Sequence, residues 1–242
     1  MGARINALEI IQRFTNAVGL PEPAVAVANQ ADDVIQMVEL LNQEGRELSR
    51  RADWQALTFE QTFTTVATES QGALTSLITG GHELRKIVNE TIFNRTTKLP
   101  IYGPVSRREW QARQALTLSG PISQYRIRGN QLILNPAPDA GDTCAFEFVS
   151  KCWCSDSTGS TFRRNITADT DEVLLDDEVM LAGIEWRWLR KKGLSYAEEF
   201  ASYEGMVRKL IGDDGTKRRL NMAGDTGGYK PGIVIPIGDW PL

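Results

Sequence analysis

The chain has 242 residues, 41% hydrophobic and 24% charged, with 27 Lys and Arg against 31 Asp and Glu. This is the composition of an ordinary globular protein, long enough for one sizeable domain or two smaller ones, and its net charge of −4 argues against a protein that coats DNA by neutralising phosphates. One histidine removes most triads, His-rich zinc sites and proton relays; no apolar run reaches the roughly 18–20 residues of a bilayer span; and the N-terminus lacks a secretory pattern, so no membrane role and a reduced, cytoplasmic setting for Cys144, Cys152 and Cys154 are expected.

Taken in chain order, residues 4–18 place Ile5, Leu8, Ile11, Phe14 or Thr15, and Val18 at helical spacing, and Gly19-Leu20-Pro21 stops that helix. Residues 31–51 predict a second helix with Val34, Val38, Leu41, Gly45 and Leu48 near one face. Asp32 and Asp33 open it and Arg46, Arg50 and Arg51 close it, so its charges complement the helix dipole. From Trp54 onward, β-branched and aromatic segments predict antiparallel strands over 58–68, 74–78, 87–93, 124–127, 131–134 and 143–153. Arg128-Gly129-Asn130 reads as a tight hairpin turn, 136–141 as a loop, and 106–116 as a short helix opened by a capping box of Ser106 with Glu109.

Helical periodicity returns over 176–192. Asp176, Asp177 and Glu178 form an acidic start, Met180, Leu181, Ile184, Trp188 and Leu189 point inward, and Arg190 to Lys192 precede Gly193. Ser195 with Glu198 predicts a capping box for the second arm of a helical hairpin, with Phe200, Tyr203, Val207 and Leu210 on one side and a stop at Gly212. The Gly- and Pro-rich remainder still holds Ile233-Val234-Ile235-Pro236-Ile237 between Tyr229 and Trp240, an apolar extended stretch that wants a partner surface. The expected class is α+β: a helical bundle from 1–56 plus 174–212, an inserted antiparallel β domain over 57–173, and an extended C-terminal docking tail over 213–242.

Candidate chemistry is thin. The acids at 169–172 and 176–178 offer oxygen ligands of the kind hard cations take, but the glycine and closing glutamate of a calcium loop are missing. An acidic loop running into a helix N-terminus accounts for them. Gly212 to Lys217 follows a helix rather than a strand and puts Asp213 and Asp214 where a phosphate would sit. Cys152 and Cys154 have no second pair, and alternation on a strand would leave both thiols half-buried on one face. No nucleophile is matched with a base and an orienting group, so the reading is no enzyme, no cofactor and no metal. The small basic clusters at 107–108, 163–164, 190–192 and 217–219 read as solvated faces, a minority suited to acidic protein surfaces. Trp186 and Trp188 stand roughly 200° apart on a helix and cannot share one core-facing stripe; a neighbouring subunit is the economical cover for one of them, Trp186.

Read together, these segments resemble the head-to-tail adaptor (connector) proteins of short-tailed and related double-stranded DNA bacteriophages. The likeness is carried by Asp33 to Leu57 with Glu47-Leu48 and Asp53-Trp54; by Asn89 to Thr97 followed by Gly103-Pro104-Val105-Ser106 and Glu109-Trp110-Gln111; by Tyr125 to Gly129, Pro136 to Gly141 and Phe146 to Ser150; and by Ala168 to Asp171, Leu174 to Glu178, Trp186-Arg187 and Lys192 to Ala197. The resemblance implies a structural virion protein of the neck, made in the host cytoplasm. Copies would form a homo-oligomeric ring, commonly twelve, beneath the portal protein, give the tail nozzle or tail tube a platform, and let DNA pass without sequence-specific binding. On that reading Tyr229, Ile233, Ile235, Ile237 and Trp240 dock on the portal or a neighbouring subunit. Two competitors are a carbohydrate- or host-binding tail component that uses the β domain, and a metal-dependent enzyme at the acids of 169–178.

Overall fold

The computed structural model describes residues 4–115 and 123–215. Helix α1 (Ala7–Ala17) is opened by Asn6, whose side chain accepts the Glu9 N–H at 2.8 Å, and buries Ile10, Ile11 and Phe14. Helix α2 (Asp32–Arg51) buries Met37, Leu40, Leu41 and Leu48 and leads through a 3₁₀ turn at Gln55–Leu57 to strand β1 (Thr58–Thr64). Then come β2 (Ser70–Ala73), the single turn α3 (Leu74–Leu77), β3 (Leu84–Ile87), β4 (Phe93–Asn94) and β5 (Leu99–Pro100). Helix α4 (Arg107–Ala115) starts where the Ser106 hydroxyl accepts the Glu109 N–H at 3.2 Å. Strands β6 (Gln124–Arg128) and β7 (Gln131–Asn135) are joined by Gly129 and Asn130 at φ +57° and +63°, the two-residue turn whose twist suits a hairpin. Strands β8 (Thr143–Ser150), β9 (Cys154–Ser155), β10 (Phe162–Arg163) and β11 (Glu172–Val173) precede helices α5 (Asp177–Lys192) and α6 (Ala197–Asp214).

Four local expectations change. Residues 74–78 form α3 rather than a strand. The strand expected over 87–93 is broken by Glu90 at φ +64°, with the Thr91 hydroxyl bonding the Val88 carbonyl at 2.7 Å. The long strand expected over 143–153 divides into β8 and β9. Ser195 does not cap α6: Tyr196 holds that position with no side-chain bond, and the helix runs through Gly212 to Asp214. A glycine inside a helix costs about 1 kcal/mol relative to alanine, and here Gln55 secures the last turn by donating its backbone N–H to the Asp214 carboxylate at 2.9 Å and its amide to the Asp214 carbonyl at 2.5 Å.

The described residues fall into two compact units. The first joins residues 4–59, 78–86 and 148–215; the second holds 60–77, 87–115 and 123–147. Segments 78–86 and 148–173 thus group with the helices, whereas the sequence pattern predicts one inserted β domain over 57–173. The reason is visible in the first unit's side chains: Phe59, His82, Phe148 and Phe162 form one ring cluster, and β9 is paired antiparallel with both β10 and β11. Trp153 lies against Gly45 of α2 so closely that a Cβ there would stand 2.2 Å from the indole. In the second unit β7 sits between β2 and β6, β4 pairs with β5 and with β8, and Trp110, Tyr125, Leu132, Leu134 and Phe146 are buried.

Candidate interaction surface

The α5–α6 hairpin of the first unit is specified locally at every joint. Asp176 caps α5 by accepting the Val179 N–H at 3.0 Å, and Gly193 ends it at φ +73°, a left-handed conformation that suits glycine. The Gly193 and Leu194 N–H groups return to the Arg190 and Leu189 carbonyls, the double bond pattern that closes a helix and reverses the chain. Both tryptophans of α5 are covered, at 7% exposure for Trp186 and 6% for Trp188. Trp188 meets the Phe14 ring of α1 edge-on at 5.8 Å; on the other face Trp186 meets Phe200 at 5.0 Å and Tyr203 at 6.1 Å. The opposed placement holds, and the cover Trp186 needs comes from α6 of the same chain: the short Gly193 turn brings that helix back over the second face.

Beneath the aromatics lies a buried ion cluster. Glu44 of α2 is fully enclosed, accepts the Tyr203 hydroxyl at 2.6 Å, and pairs with Arg187 of α5, itself buried. Arg187 also donates to the Gly183 carbonyl at 2.9 Å and to Glu47 at 2.7 Å, and Arg51 links Glu47 at 3.0 Å to Glu204 of α6 at 2.5 Å. Burial pushes the Glu44 carboxyl up to about 7 against the pull of Arg187 and Tyr203, and pushes the Tyr203 hydroxyl up as well. Helix α5 tolerates the carboxylate because residue 183 is glycine; a Cβ there would stand 2.3 Å from the Glu44 carboxyl carbon. Three helices are thereby locked through one buried charge pair.

The family model of the SU10 adaptor protein matches residues 5–227, from α1 through α6 and past the described helices. The chain belongs to this family of phage adaptors. A search of curated proteins gives no match. The adaptor is therefore a structural component of a phage virion, in a family that is not an enzyme class.

The adaptor uses its conspicuous polar residues for architecture. Asp169 accepts the Ala26 and Val27 N–H groups at 3.1 and 2.7 Å, which pins the loop before α2. Asp171 accepts from the Thr167 and Ala168 backbone and from Arg163 at 2.5 Å. With Asp176 spent on its cap, the acids of 169–178 do not converge, and among the described residues no group of three His, Cys, Asp or Glu is poised to hold a metal. His82 stacks on Phe162 at 3.9 Å and touches Ser150 Oγ at 3.2 Å through Nδ1; burial lowers its pKa to about 4, which keeps it neutral. All three thiols are buried, Cys152 and Cys154 more fully than expected, and burial raises Cys144 to about 11 and Cys154 to about 12, so neither is a nucleophile near neutrality. No described helix is long and apolar enough to cross a membrane. Tyr229, Ile233, Ile235, Ile237 and Trp240 lie outside the described residues.

What the adaptor does present is apolar surface at the hairpin. Leu194, Tyr196 and Phe200 are 55%, 39% and 36% exposed, and Ile211 extends the stripe along α6. Of the 18 residues of α6 only Tyr203 and Val207 are buried. Sequence periodicity places Phe200 on the inner side; the signal for its exposure is the Leu194-Ser195-Tyr196 turn, where two large apolar residues stand in a segment too short to fold over them.

Proposed function

We propose that the adaptor assembles as a ring of twelve copies between the portal and the tail of its phage, giving the tail nozzle or tube its seat and leaving a central passage for DNA. The observation that carries this reading is an outer helix, α6, that belongs to a phage adaptor and buries two of its 18 residues. A helix so little covered and faced by Tyr196, Phe200 and Ile211 is an assembly surface awaiting its neighbour. Trp186 serves that contact from behind, as the ring against which Phe200 is set. The net charge of −4 suits a passage that should not grip phosphates, and Tyr229, Ile233, Ile235, Ile237 and Trp240 supply apolar anchors for the portal or the adjacent copy.

The test is native mass measurement of the adaptor alone and mixed with its portal. The expected result is a complex of portal and twelve adaptors, and removal of residues 229–242 abolishes it. Adaptor that stays a single unbound copy in both conditions overturns the ring; a ring that forms equally well without 229–242 overturns the docking role of the tail.

A further inference from the structure

Two surfaces of the adaptor carry complementary charge around apolar side chains. One is a cleft of about 740 Å³ in the second unit, between Pro104–Arg107 at the start of α4 and Arg126–Gly129 at the end of β6. Pro104, Val105 and Ile127 give it apolar walls; Arg107, Arg126 and Arg128 rim it, and among the described residues no acid lines it. None of these three guanidinium groups has an ion-pair partner among the described residues, whereas Arg13, Arg46, Arg51, Arg163 and Arg187 are all paired. A phosphate backbone needs the charges but not the apolar walls, so the lining fits a protein segment that brings both acids and large apolar groups.

The α5–α6 hairpin is such a segment. Exposed Leu194, Tyr196 and Phe200 flank Glu198 and Glu199, which likewise have no ion pair among the described residues. Tyr196, Glu199 and Phe200 stand three and four residues apart, which puts them side by side at the start of α6. The cations Arg190 and Lys191 belong to the last turn of α5, where they offset its C-terminal dipole.

We propose that the hairpin of one copy seats in the arginine cleft of a second copy, with Tyr196 and Phe200 against Val105 and Ile127 and with Glu198 and Glu199 facing Arg107, Arg126 and Arg128. This rests on the ring reading above and names its two contact surfaces. Because they are different patches of one chain, the contact is head-to-tail, the kind that closes into a ring when the rotation per copy allows it. Aromatic and arginine side chains are the residue types that dominate interface energies, and arginine stacks on aromatic faces while it pairs with carboxylates.

The test uses two full-length variants, Arg126→Glu/Arg128→Glu and Glu198→Lys/Glu199→Lys, each checked for an unchanged thermal midpoint and mixed with the portal. Wild type gives the ring. Either variant alone meets its own kind with like charges and should lower ring yield at least tenfold. An equimolar mixture restores opposite charges at every junction and should recover even-numbered rings of alternating copies. A single variant that assembles like wild type, or a mixture that does not recover, overturns the hairpin-in-cleft contact and leaves the ring standing; a wild type that forms no ring overturns both.

Discussion

Replacing Arg187 by Met isolates the charge pair that locks α2, α5 and α6. Methionine keeps most of the side-chain volume, so the change removes charge and hydrogen bonds more than packing. Glu44 then keeps the Tyr203 hydroxyl at 2.6 Å and loses its buried counter-charge, while Glu47 retains Arg51 at 3.0 Å. Removing one partner of a buried pair costs about 3–5 kcal/mol, because the remaining charge is stranded away from water. At about 2–4 °C per kcal/mol for a chain of this size, the melting midpoint should fall by roughly 6–20 °C. The loss should also carry a pH signature. Without Arg187 the folded-state pKa of Glu44 lies further above its unfolded value, so the native state binds the extra proton and the variant regains stability as pH falls toward 4.5. The double variant Glu44→Gln/Arg187→Met, whose amide still accepts from Tyr203, should recover at least half of the loss at pH 7.5. Urea unfolding of the three proteins at pH 5 and 7.5 decides it: an Arg187→Met variant within about 1 kcal/mol of wild type at both pH values refutes the idea that this pair locks the helices.

Gly183→Ala is expected to destabilise despite a helix-propensity gain of about 1 kcal/mol, because the new Cβ stands 2.3 Å from the Glu44 carboxyl carbon and overpacking costs about 1–3 kcal/mol; a variant that melts higher than wild type refutes the close approach. The single imidazole, with its pKa lowered from 6.5 to about 4 by burial, contributes stability that is fully present above pH 6.5 and is lost as pH falls through the folded value. His82→Phe should abolish that slope in urea unfolding, and an imidazole NMR resonance titrating near 6.5 in the folded protein sinks the argument.

Helices α1, α2 and α5 were legible because each writes its own instructions within a few residues: an apolar stripe in α1 and α2, an acidic first turn in all three, and in α5 the Asp176 cap and Gly193. The 129–130 hairpin was legible for the same reason, a local pair of residues suited to positive φ. The ion cluster was not. Glu44, Arg187 and Tyr203 meet across intervals of up to 159 residues, and an ionisable residue in a helix looks solvated until the other helices are in place. Helix α5 also misled the stripe reading, because a helix packed against α1, α2 and α6 buries Trp186, Arg187 and Trp188 in succession and no single face describes it. The strands expected over 58–68 and 143–153 end sooner in the structure, since β-branched residues favour extension but do not mark where a side chain such as Gln71, bonded to the Val66 and Thr68 carbonyls, folds the chain back.

The net charge of −4 acquires a meaning once it is divided. Among the described residues the first unit carries 16 Lys and Arg against 22 Asp and Glu; residues 216–242 of the sequence add four cations and two acids, and the described part of the second unit holds seven of each. Five of those seven cations, Arg107, Arg108, Arg113, Arg126 and Arg128, fall between residues 107 and 128, where Glu109 is the one acid. An isolated copy therefore offers arginines that have no ion pair among the described residues to any polyanion, and a protein that binds phosphates with Z cations weakens with salt at a slope of about −0.9 Z. On the proposed ring reading a DNA passage should not do this, and the proposed hairpin-in-cleft contact would resolve the conflict by placing Arg107, Arg126 and Arg128 against the carboxylates of the next copy. Single copies should bind double-stranded DNA weakly, with a salt slope near −3, about what three phosphate contacts give. In the assembled ring with its portal that slope should fall toward zero. If fluorescence anisotropy across 50–200 mM salt finds the ring binding DNA as steeply as the single copy, the arginines are free in the assembly and face the DNA rather than a neighbour.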